Sequence, residues 1–91
     1  MAHTIRDRKP LLARVRRIQG QLRSLETILE QGGECAAVLQ QIAAVRGGVA
    51  GLMNQVLEGH ISEHLGNPEA SAAERTGDVE EVLKVLRSYL R

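Results

Sequence analysis

An all-α fold is predicted for this 91-residue chain: a three-helix protomer that pairs into an antiparallel four-helix-bundle dimer. Three observations predict it. Two long stretches repeat apolar residues at four-three spacing, a Gly-Gly pair separates them, and the chain holds no Phe, no Trp and one Tyr. Seams of Leu, Val, Ile and Ala suit helices packing on helices. A chain this short buries only a modest core, so association is a natural supplement.

Residues 1–6 read as a short tail, and removal of Met1 before the small Ala2 would leave a free amine there. The first helix is expected over residues 7–31. Asp7 as N-cap puts Pro10 at the third helical position, where its missing N–H costs nothing. Leu11, Val15, Ile18, Leu22, Leu25 and Leu29 form its seam. Gly20 inside it costs about 1 kcal/mol relative to Ala, which implies close approach by another helix. Gly32-Gly33 ends the helix in a tight turn.

The second helix is expected over 34–65, with the stripe Val38, Ile42, Val45, Val49, Leu52 and Val56. Its middle is rich in small residues (Ala43, Ala44, Gly47, Gly48, Ala50, Gly51), which suits a helix crossing. Gly66, Asn67 and Pro68 stop it. Residues 67–77 read as a loop. Asp78 with Glu81 caps a short third helix over 78–90, whose apolar face is Val79, Val82, Leu83, Leu86 and Leu90. The whole chain, 1–91, reads as one domain without repeats.

Composition narrows the function. One cysteine excludes an intrachain disulfide and fits a reducing, cytoplasmic setting. No signal peptide is expected, and the most apolar run, Gly47 to Met53, is too short and glycine-rich to span a bilayer. Residues 1–23 carry seven Arg or Lys against one Asp, whereas the rest carries five against ten acidic residues. A basic first helix on an acidic protein fits either a polyanion contact or a solvated face. With Tyr89 the one aromatic side chain, the composition argues against base stacking on single strands. No Gly-rich phosphate loop and no Ser/His/Asp set is present, so no enzyme is expected.

The chemistry-bearing residues sit at the ends of the second helix. Cys35 and His60 are 25 residues apart, about 37 Å along a helix, so they cannot meet within one chain. In a hairpin about Gly32-Gly33, residue i lies beside residue 65 − i, which brings His3 near position 62, between His60 and His64. Antiparallel pairing of two long helices about Gly47-Gly48 sets residue i beside residue 95 − i of the second copy, and Cys35 beside position 60. A homodimer then makes two sites, each of His3, His60 and His64 from one chain and Cys35 from the other. Imidazoles with one thiolate suit nickel, cobalt, zinc or copper(II). Glu34 and Glu63 flank the ligands and are placed to accept imidazole N–H bonds. Each piece alone has a plainer reading, as an inert cysteine or a surface or core histidine pair; turn position, central glycines and spacing converge on one point, which weakens the plainer reading and leaves a metal site open beside it.

The motifs RVRRIQGQL (Arg14 to Leu22), ECAAVLQQIAAVRGGVAGLM (Glu34 to Met53) and His60-x-x-x-His64 also carry a resemblance. Over essentially its full length the chain resembles the CsoR/RcnR family of all-helical bacterial repressors. The opening AHTIRD and the set His3, Cys35, His60 and His64 look most like the nickel/cobalt-responsive branch. The copper branch has cysteine where His64 stands. The formaldehyde-responsive branch shares Cys35 but typically has proline at position 2 and an acidic residue at 64. Pro10 and Gly47-Gly48 depart from the nickel/cobalt pattern.

The resemblance implies a homotetramer of two dimers that binds double-stranded operator DNA in the apo form and is released by nickel or cobalt, derepressing metal efflux. It implies DNA contact by Arg14 and Arg17 without a helix-turn-helix; charge adds Lys9, Arg16, Arg23 and Arg46. It implies six-coordinate metal that also takes the Ala2 amine or a backbone nitrogen. The alternative within the family is a formaldehyde sensor using Cys35 and that amine.

Overall fold

The computed structural model describes residue 4 and residues 6–89, apart from the side chains of residues 64 and 65. Among the described residues three long helices make up the fold: α1 (Arg8–Glu30), α2 (Cys35–His60) and α3 (Ala72–Tyr89), with a π-helical turn, Ile61–Leu65, directly after α2. No strand occurs among the described residues, as the all-α expectation requires. Thr4 and Arg6 are already helical, where a tail was expected. The chain divides into two compact units, Met1–Gln55 and Val56–Arg91.

In the first unit, Asp7 precedes α1 and its carbonyl accepts the Leu11 N–H at 3.1 Å. Its carboxylate makes no cap bond and lies 3.7 Å from Arg6 Nε instead. Pro10 is therefore the third helical residue. At the other end Gly32 takes φ +68°, Gly32 N–H donates to Leu29 O at 3.2 Å, and Gly33 N–H donates to Ile28 O at 2.8 Å. This is the Schellman pattern, which satisfies the last carbonyls of α1 and reverses the chain. The Glu34 carbonyl accepts Val38 N–H at 3.1 Å, so Cys35 is the first residue of α2.

The hairpin closes on glycine. Ile18 is the buried apolar residue of α1, and it rests on Gly48, where an added Cβ would lie 2.9 Å from Ile18 Cγ1. One turn on, a Cβ at Gly51 would overlap the Arg14 guanidinium, and Arg14 Nε donates to Gln55 Oε1 at 3.1 Å. Arg14 lies against Gly51 as the sum of 65 requires. Gly20 and Gly47 meet nothing within 4 Å. Within the glycine-rich centre, Gly48 and Gly51 serve a crossing inside the chain, a duty beside the crossing of two copies expected there. Gly47 is exposed in line with Gln40 and Asn54, a polar face.

In the second unit, Gly66 N–H donates to Ile61 O at 2.9 Å, the five-residue reach of a π turn. The expected second helix is thus an α-helix to His60 with a wider last turn. Asn67 organises the reversal, its Oδ1 accepting Glu69 N–H at 2.9 Å and its carbonyl accepting Arg75 Nη2 at 2.9 Å. α3 then starts six residues before the expected 78. Ser71 Oγ accepts the Glu74 N–H at 3.1 Å, an N-cap that outranks the one expected at Asp78. Asp78 is consequently an interior residue of α3. α3 packs against the π turn, and Val82 is its buried apolar residue.

Much apolar surface stays open. Leu39, Ile42 and Val49 of α2, Leu22 and Leu29 of α1, and Val79, Leu83 and Val85 of α3 are all more than two-fifths exposed. Cys35–Glu63 is long and apolar enough, by length and composition, to cross a membrane, a wider span than the Gly47–Met53 run considered from sequence.

Candidate metal centre and basic surface

The apolar stripe of α2 is really two edges. Val38, Val45 and Leu52, seven residues apart, are half-buried, whereas Ile42 and Val49 are exposed. From the exposed positions 35, 39, 42, 46 and 49 the same four-three run continues through half-buried 53 and 56 to the buried His60. Such a run keeps one face of a helix toward a partner helix. It begins at Cys35 and ends at His60, so the thiol and the imidazole belong to a single seam. Cys35 is a free, exposed thiol and His60 is 8% exposed.

The remaining expected ligands are placed unevenly. Glu34 is exposed just before Cys35, and Glu63 is half-buried within the π turn. The backbone of His64 lies in that turn, but its side chain falls outside the described residues, as do His3 and Ala2. α3 contributes groups that sequence reasoning had spent on a cap. Ligand atoms of His60, Asp78 and Glu81 all lie within 4.8 Å of one another. The available signal was the i, i+3 spacing of two carboxylates on one helical face, masked by the competing N-cap reading.

The basic residues also separate. Lys9, Arg16 and Arg23 are exposed at seven-residue steps along α1, and Arg17 is exposed beside them. Arg14 is half-buried and bonded to Gln55, which gives it a packing role. Arg46 is exposed in the apolar seam between Ile42 and Val49, apart in sequence and surroundings from the α1 stripe.

Comparison with known proteins shows the family. The family model of metal-sensitive transcriptional repressors matches residues 7–88. The chain is 63% identical over 91 residues, all of both chains, to an uncharacterized protein in the bioA 5' region of Serratia marcescens. It is 50% identical, again over all of both chains, to the transcriptional repressor RcnR of Citrobacter koseri and to that of Salmonella typhimurium. Among solved structures it is similar to a glutamate-to-histidine variant of the formaldehyde-responsive regulator FrmR from Salmonella enterica serovar Typhimurium. That likeness has a TM-score of 0.84 at 46% identity, covering 92% of this chain and 94% of the other.

Proposed function

The chain belongs to the metal-sensitive transcriptional repressor family, and from that premise we propose that it holds operator DNA in the apo form and leaves it on binding nickel or cobalt. The family consists of repressors, not enzymes, so the chemistry is binding alone. One observation carries the sensor reading: a single four-three seam of α2 starts at the exposed Cys35 and ends at the buried His60. Antiparallel pairing, residue i beside 95 − i, sets Leu39 beside Val56, Ile42 beside Met53 and Cys35 beside His60 of a second copy. Apolar cover and ligand assembly are then one event.

The donor set fits the metal class. Imidazole from His60 and thiolate from Cys35 suit nickel, cobalt or zinc better than hard cations. His3, His64 and the Ala2 amine would complete the set, with Glu34 and Glu63 beside it. A metal held there ties the start of one α2 to the end of another. Because α1 packs on α2 through Gly48 and Gly51, a change at the seam moves the basic stripe of α1. Lys9, Arg16 and Arg17 would meet phosphates of duplex DNA in the cytoplasm, with Arg14 holding α1 in position and Arg46 contributing charge near the dimer axis. Two dimers forming a tetramer would lengthen that basic surface. By linkage metal weakens DNA binding by the factor that DNA weakens metal binding, commonly about 1–3 kcal/mol.

The test uses a duplex recovered from random sequence by selection with the apo-protein. Cys35→Ala should bind it with unchanged affinity and no longer release it on nickel addition in a gel-shift assay. Normal nickel-driven release by that variant would overturn the reading.

The likeness to a formaldehyde-responsive regulator, together with the exposed Cys35 thiol, supports a second reading. Formaldehyde would join the Cys35 thiol to the Ala2 amine as a methylene bridge, losing its oxygen as water. Intact mass after treatment decides it: a gain of one carbon atom coupled to DNA release supports it, and no such gain removes it.

A further inference from the structure

We propose that His60, Asp78 and Glu81 form a second divalent-cation site, of zinc type, contained within one chain. Its ligand atoms already lie within 4.8 Å of one another. Zinc–nitrogen and zinc–oxygen bonds of about 2.0–2.2 Å place tetrahedral ligands roughly 3.4 Å apart. Closing the set on a shared ion thus needs the ligand atoms to draw closer by up to about 1.4 Å. Glu81 is exposed, with solvent on its open side, while Asp78 is half-buried and His60 buried.

Three elements of the fold produce this triad. α2 ends at His60, the π turn returns the chain, and the Ser71 cap starts α3 early enough to make Asp78 and Glu81 interior residues one turn apart. Had α3 begun at Asp78, that residue would have been spent on the helix end.

One imidazole and two carboxylates favour zinc or manganese over thiolate-seeking metals, and the stability order of divalent ions favours zinc between those two. The site requires neither Cys35 nor a second copy. Where it goes beyond the sensor reading it also touches it, because His60 serves one ion at a time. On that reading, zinc on α3 withdraws His60 from the seam set and opposes nickel.

The experiment uses full-length Cys35→Ser protein, which lacks the thiolate of the sensor set, and no DNA. Zinc chloride is titrated by calorimetry. One zinc per chain is expected, with affinity falling at least about tenfold in Cys35→Ser/Asp78→Asn/Glu81→Gln. Glu81→Gln alone, at an exposed position, should weaken zinc several-fold with unchanged circular dichroism; this decides the matter if Asp78→Asn loosens α3. Cobalt(II) in the Cys35→Ser protein should show d–d bands that diminish with Glu81→Gln. Zinc affinity indifferent to both carboxylates would overturn the site and leave them as hydrogen-bond partners of the imidazole. Absence of zinc binding to Cys35→Ser would overturn it too. Neither result depends on whether nickel releases DNA from the unmodified protein.

Discussion

Gly47 and Gly48 are neighbours in sequence with opposite duties. Gly48 lies under Ile18, and a Cβ there would sit 2.9 Å from Ile18 Cγ1 and 3.3 Å from Gln21 Oε1. Gly47 faces open space. Gly47→Ala should therefore stabilise the protein by up to about 1 kcal/mol through helix propensity. Gly48→Ala should destabilise it by about 1 kcal/mol, because overpacking against a buried isoleucine exceeds the same propensity gain. Urea denaturation of the two variants checks the sign. Gly32 is a backbone case: its φ of +68° costs a side-chain-bearing residue roughly 1–2 kcal/mol. Gly32→Ala should lower stability by about that amount in the same assay. Arg14, expected from the family resemblance to contact DNA, also has a contact within the chain that the sequence did not reveal: its guanidinium lies over Gly51 and its Nε donates to Gln55.

At the scale of elements, caps decide where helices begin. Ser71 sets the start of α3 through its bond to Glu74 N–H. Ser71→Ala should cost about 1 kcal/mol and let amide exchange accelerate first at residues 72–76. Exchange unchanged there would mean that the Asn67 carbonyl, through Arg75, holds the end of α3 unaided. The sequence contained the relevant pattern, a serine three residues before a glutamate, but Gly77 and the Asp78/Glu81 pair offered a competing start. Gly77 proves tolerable inside the helix, at a penalty of about 1 kcal/mol. The π turn after His60 had no signal in the periodicity, because one five-residue reach changes spacing too little to see in a stretch that short.

For the whole molecule, the open apolar seam predicts association. A lysine at Ile42 would put a charge into the seam, so Ile42→Lys should weaken self-association at least about tenfold, or 1.4 kcal/mol. Gln40→Lys, on the polar face of the same helix, should leave it unchanged. Sedimentation equilibrium distinguishes the two, and equal behaviour would move the interface elsewhere. The same seam explains why Cys35–Glu63 has the length and composition of a membrane span. Its apolar side chains are uncovered in one chain and available to a second.

The sequence by itself determined the helices, the Gly32-Gly33 reversal and the separation of Cys35 from His60. Each follows from local terms: period, glycine conformation and rise per residue. Only the tertiary structure decided which edge of α2 faces α1, that Gly48 and Gly51 serve that contact, and that Asp78 and Glu81 meet His60. Those outcomes depend on helix rotation and on the residue at which α3 starts. A change of one residue in either swings a side chain by about 100°, and apolar periodicity does not resolve so small a step.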